Sequence, residues 1–128
     1  MGLDMFMHEC REGPMDTYTL SEFMYWRKEY PIMAWFDERF HNIENCRRYR
    51  MTRKDLCDLA DWCDKTVKMG NFHQFDEYEY TGWVDMEQFE KYSEEYLEVL
   101  KDTSERIREY FNEGKDEGVD YWVFYGWW

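Results

Sequence analysis

Near its start the chain alternates, with Leu3, Met5 and Met7 on one side, Asp4 and His8 on the other, and Phe6 the exception. Period two over that length predicts a strand from Met1 to Glu9, closed by a turn at Gly13-Pro14. From Thr19 the spacing lengthens. Thr19 with Glu22 three residues on reads as a capping box, and apolar residues follow at Phe23, Trp26, Tyr30, Met33, Phe36 and Phe40. Steps of three and four predict a helix, kinked or broken at Tyr30 because Pro31 removes a backbone donor. Asn42 to Asn45 reads as a connection, and Cys46 to Met51 as a short strand with Tyr49 and Met51 on one face. Thr52 caps a second helix, with Asp55 in its first turn, Leu56, Leu59, Cys63 and Val67 on its buried stripe, and Gly70 suited to a left-handed end.

Phe72 to Val84 is aromatic and acidic, and Tyr78-Glu79-Tyr80 alternates as a short strand does. Asp85 with Gln88 forms a second capping box and opens the longest helix, running to about Asn112. Its stripe is Phe89, Tyr92, Tyr96, Leu100, Thr103, Ile107 and Tyr110 or Phe111. Gly114 and Gly118 bracket a charged turn before an almost wholly aromatic closing strand, Tyr121 to Trp128. This order predicts one α+β domain over residues 1–128, a small antiparallel or mixed sheet packed against about three helices. The first and last strands are expected in the same sheet, since neither can bury its side chains alone.

Composition changes one inference. Leu, Ile, Val and Phe make up fewer than one residue in five, and 16 Lys and Arg face 29 Asp and Glu for a net charge of −13, a profile that ordinarily signals disorder. Here 7 Trp, 11 Tyr and 9 Met supply the missing burial, because each aromatic removes roughly 150–250 Å² from water. A packed core is feasible. No apolar run reaches the roughly 18 residues of a membrane span, and no basic-then-apolar leader opens the sequence, so a soluble cytoplasmic protein is expected. The acidic balance repels phosphate and anionic lipid, which argues against direct nucleic-acid or membrane binding.

Candidate chemistry is sparse. Cys10, Cys46, Cys57 and Cys63, with His8, His41 and His73, show no zinc-ligand spacing, so no metal and no cofactor is expected. Ser21, Ser93 and Ser104 sit in no nucleophile elbow, and no Gly-rich phosphate loop occurs, so no enzyme motif is present.

Two charge features stand out. Arg47, Arg48, Arg50, Arg53 and Lys54 place five cations in eight residues, either a solvated junction paired with nearby carboxylates or an anion site. On the long helix Glu87, Glu90, Glu94 and Glu98 recur at three, four and four residues. That ridge is either a solubilising face or a phosphate-like surface for a basic protein groove, and Glu77 and Glu79 extend the candidate surface. Asp55, Asp58, Asp61 and Asp64 recur at an unbroken three, which drifts by roughly 60° per step and makes a spiral instead of a ridge.

The opening Met1-Gly2-Leu3-Asp4-Met5 plus an aromatic, then Tyr25-Trp26-Arg27-Lys28, Trp35-Phe36, Cys46-x-x-Tyr49 and the Trp-terminated end span nearly the whole chain. Together they resemble a family of small uncharacterised proteins carried by bacteriophages and prophages. That resemblance brings no established reaction; it implies an accessory gene of a mobile element acting in a bacterial host. The chain departs from the family pattern where a His is expected just before the Trp-Phe pair and Glu29-Tyr30-Pro31-Ile32-Met33-Ala34 stands instead. Trp26, Arg27 and Lys28 read either as a core Trp beside solvated cations or as an aromatic-plus-cation grip on a nucleotide. The function expected first is an acidic-surface inhibitor of a host nucleic-acid-handling or defence protein, which needs a partner with a basic surface and allows a homo-oligomer. The alternative is a nucleotide-binding sponge using Trp26, Arg27, Lys28, Arg47, Arg48 and Arg50.

Overall fold

The computed structural model describes residues 2–70, 72, 83 and 85–128. Eight elements follow in order: β1 (Asp4–Glu12), β2 (Tyr18–Arg27), α1 (Tyr30–Phe40), β3 (Tyr49–Met51), α2 (Arg53–Met69), α3 (Met86–Lys91), α4 (Ser93–Asn112) and β4 (Tyr121–Trp127). The strands form one antiparallel sheet in the order β2-β1-β4-β3. As expected, the first and last strands are neighbours, with Met5 opposite Gly126 and Met7 opposite Phe124.

Alternation sorts the chain into β1 as far as His8. Leu3, Met5 and Met7 are buried toward the helices, while Asp4, Phe6 and His8 are half-buried on the other face. Met24, Trp26, Met51, Trp122 and Phe124 join the core from the neighbouring strands. At its centre the rings of Phe36 from α1 and Phe124 from β4, both fully buried, stack 3.8 Å apart and 9° from parallel.

The helix expected from Thr19 is instead strand β2, and Thr19 pairs with Arg11 instead of capping anything. The cause is a bulge. Met7 pairs with Met24 but His8 pairs with Glu22, so Phe23 is left over and turns inward against Tyr110, 4.3 Å between ring centroids. One extra residue converts the strand spacing of two into an apparent helical three between Phe23 and Trp26. The helical pattern proper begins at Tyr30, with Pro31 in the first turn, where its missing donor costs nothing.

Thr52 and Asp55 form the full capping box of α2, and Gly70 closes it at φ 72°. Leu56, Leu59 and Cys63 are fully buried on its stripe. The single long helix expected after Asp85 is two helices. Asp85 accepts from Gln88 N at 3.2 Å, but Tyr92, at φ −111° and ψ 24°, separates α3 from α4. Tyr92 is turned outward to 39% exposure, whereas Phe89 and Tyr96 on either side are buried and close their rings on Phe72 at 5.3 and 6.2 Å. The short strand expected at Tyr78-Glu79-Tyr80 lies outside the described residues.

Candidate functional site

The four glutamates of the expected ridge are all exposed, but the break at Tyr92 places Glu87 and Glu90 on α3 and Glu94 and Glu98 on α4. Among the described residues no cation or hydrogen-bond donor engages their carboxylates. Glu77 and Glu79 lie outside the described residues.

The aspartates of α2 are placed differently. Arg39 of α1 reaches Asp55 at 2.8 Å and Asp58 at 2.7 Å, and Lys54 adds a second cation to Asp58 at 2.8 Å. Arg108 of α4 reaches Asp61 at 2.8 Å and Asp64 at 2.6 Å, and the Ser104 hydroxyl donates to Asp64. The Lys54 hydrogen bond, with Arg39 beside it, holds Asp58 below the ordinary carboxylate range. At Asp64 burial pushes upward, but Ser104 and Arg108 outweigh it and the group is also lowered.

The basic cluster is similarly committed. Arg47 pairs with Glu44 at 2.9 Å and lies over Tyr49, Arg50 lies 3.9 Å above the Tyr121 ring, and Arg53 reaches Asp116 at 3.3 Å. Arg48 is exposed in the turn before β3. Trp26 is in the core, 5% exposed, its indole N–H donating to Thr103 at 3.0 Å and its ring 5.9 Å from Phe36. It therefore lends no open face to a ligand. Arg27 and Lys28 are exposed at the end of β2, one edge of the sheet, whereas Arg50 is on β3 at the other. Three inter-strand steps of about 4.8 Å lie between those edges, so the two basic groups do not converge on one anion.

Sequence reasoning missed a cleft of about 430 Å³ where the β2–α1 junction meets the α3–α4 break. Its lining includes Glu29, Tyr30, Gln88, Tyr92, Glu95 and Tyr96, with Lys28 at the edge. Lys28 takes the left-handed conformation at φ 56°, and its backbone N–H donates to Leu3 O at 2.7 Å, which turns the chain sharply from strand to helix. Glu29 follows at the N-cap position of α1 without capping it through its side chain. Burial pushes its carboxyl from the usual range up to about 7. Burial, then the neighbouring Glu29 charge, pushes the Tyr96 hydroxyl up to about 12. Glu29 also lines a second cleft of about 330 Å³ with Arg27, Asp102 and Arg106. The one signal for this site in the sequence is an acidic residue squeezed between Trp-Arg-Lys and Tyr-Pro, where the chain has to turn.

On the sheet face away from the helices, Phe6 sits between Tyr25 (5.1 Å) and Tyr125 (4.9 Å), and His8 stacks on Tyr125 at 5.8 Å. Cys10, Cys46, Cys57 and Cys63 are free thiols, and burial pushes that of Cys63 strongly upward. Among the described residues no three His, Cys, Asp or Glu side chains converge to hold a metal ion, and no helix is long and apolar enough to cross a membrane. No family model, curated protein or solved structure matches the chain.

Proposed function

We propose that the protein acts by binding, offering the acidic face of α3 and α4 to a partner protein with a basic surface. The observation that carries this reading is the state of Glu87, Glu90, Glu94 and Glu98, exposed and without an internal counter-ion among the described residues. Glu87 and Glu94 sit in the first turns of α3 and α4, where negative charge favours the helix end, but Glu90 and Glu98 have no such role, and like charges at four-residue spacing weaken a helix slightly. A partner that handles nucleic acid carries the matching positive groove, and complementary potential speeds association with it. With the phage-family resemblance, this makes the chain an accessory inhibitor of a host nucleic-acid-handling or defence protein, at work in the bacterial cytoplasm. The sponge alternative draws less support, since Trp26 is buried and Arg47 and Arg50 are engaged internally.

The test is capture from bacterial lysate at low and high salt, comparing the native chain with the quadruple variant E87Q/E90Q/E94Q/E98Q. A basic protein held by the native chain, released by salt and lost by the variant supports the reading. A variant that retains the same protein contradicts it.

A further inference from the structure

We infer that the cleft between the β2–α1 junction and the α3–α4 break is a receptor for one arginine side chain, the anchor by which a basic partner seats on the acidic face. The inference deepens the binding reading and relies on it for the partner's chemistry. The geometry has three parts. Tyr30, Tyr92 and Tyr96 bring aromatic rings to the lining, with Tyr92 and Tyr96 edge-on at 6.3 Å. Tyr30 stacks on Trp83 at 6.3 Å and Lys91 holds its ammonium 5.3 Å over the Tyr92 ring; a guanidinium stacks on such a face more readily than a hydrated ammonium does and would take the place of Lys91. Glu29 and Glu95 supply two carboxylates to the same cleft, and Gln88 an amide oxygen. Among the described residues nothing is bonded to either carboxylate, although Glu29 is half-buried. A planar fork of five donors fits that set, one carboxylate taken bidentately and the remaining N–H groups left for Glu95 and Gln88.

Position is the second support. Gln88 follows Glu87 and Glu95 follows Glu94, so the cleft lies beside the acidic row on both helices. A basic surface drawn to the row by long-range attraction would have its anchor pocket within reach. Lys28 also lines the cleft and brings one positive charge to it, its Cε lying close to Gly2.

The cleft has a pH signature. Glu29 is held up to about 7 by burial, so its charge, and with it the hold on a cation, grows as pH rises through neutrality. The other charged groups lining the clefts around Glu29 are Lys28 and Glu95 in this one and Arg27, Asp102 and Arg106 in the adjoining one.

The experiment uses acetyl-Gly-Arg-Gly-amide and its citrulline counterpart as probes, followed by ring resonances of Tyr30, Tyr92 and Tyr96 on the full chain. The arginine probe is expected to shift those rings and to bind several-fold, at most about tenfold, more tightly near pH 8 than near pH 6. Glu29→Gln should weaken binding and flatten that pH dependence, and Lys28→Met should tighten binding. The citrulline probe, of nearly the same shape without the charge, should leave the rings unmoved. Equal response to both probes, rings that do not move, or weaker binding in Lys28→Met overturns the inference, the last pointing to an anion site at Lys28. Because the readout is local to the cleft, it separates from the lysate test: loss of partner capture in the glutamate variant together with silent tyrosines would leave the acidic face standing and remove the pocket.

Discussion

On α2, Asp55, Asp58, Asp61 and Asp64 each meet a cation from inside the molecule, while on α3 and α4 Glu87, Glu90, Glu94 and Glu98 meet none among the described residues. The spacing explains the difference. A carboxylate every third residue winds around its helix, so the first two aspartates turn toward Arg39 on α1 and the last two toward Arg108 on α4. The glutamates step by three and four instead, and although Glu94 and Glu98 share α4 with Arg108, that guanidinium is turned to α2 and not to them. A carboxylate already closed on an internal guanidinium has little field left for a partner; one facing water keeps it. The same net negative charge is thus divided between a part that joins α1, α2 and α4 and a part that faces outward.

The sharpest way to break this contrast is to remove Arg39. Arg39→Ala leaves Asp55 and Asp58 facing each other without their guanidinium and should destabilise the fold by about 1–2 kcal/mol, read as a lower urea midpoint. Arg108→Ala strips the more exposed Asp61 and Asp64, and water screens that loss to about 0.5–1 kcal/mol. A midpoint unchanged in both variants would mean that the α2 row is as idle as a solvated face.

Acid sharpens the same point. Asp58 and Asp64 are held lower in the folded chain than in the unfolded one, so they contribute stability above the ordinary carboxylate range, and that stability is lost as pH falls through their lowered values. The double variant D58N/D64N should therefore lose less stability than the native chain between about pH 4 and pH 2. Thermal melts across that window measure it. The smallest effect belongs to the glutamates. Replacing all four with Gln should shift stability by less than about 1 kcal/mol, since relief of repulsion at four-residue spacing is offset by loss of the first-turn charges of Glu87 and Glu94.

Much of the fold was legible because its signals were local. The alternation of Leu3, Met5 and Met7, the Thr52–Asp55 cap, Gly70 and the aromatic run at Tyr121 each depend on neighbours in sequence. Strand β2 was not, since its bulge at Phe23 is fixed by pairing with β1 and mimics helical spacing. The division at Tyr92 was hidden for a similar reason: the stripe continues across it, and contacts with Phe72 distinguish Phe89 and Tyr96 from the outward Tyr92. Of the candidate sites, the glutamate row could be read from spacing, but its lack of counter-ions could not. That property depends on where Arg39 and Arg108 sit, which the spacing of the glutamates does not reveal. Trp26 beside Arg27 and Lys28 read equally well as grip or core, and its burial against Phe36 and Thr103 across the fold distinguishes them. The Glu29 cleft joins residues some sixty positions apart, so the only local sign of it was Glu29 itself between Trp-Arg-Lys and Tyr-Pro.

Titration calorimetry with a nine-residue arginine peptide separates a recognition face from bulk attraction, because charge can be removed in equal amounts from two places. E87Q/E90Q/E94Q/E98Q removes four carboxylates from the α3–α4 face, and E12Q/D16N/E38Q/E117Q removes four other exposed ones from a net charge of −13. If the face is the binding surface, the first variant should lose about tenfold or more in affinity at low salt and the second less than about threefold, both differences shrinking at high salt. Equal losses in the two variants would show that only total charge attracts the peptide, and would contradict a recognition role for the glutamate row.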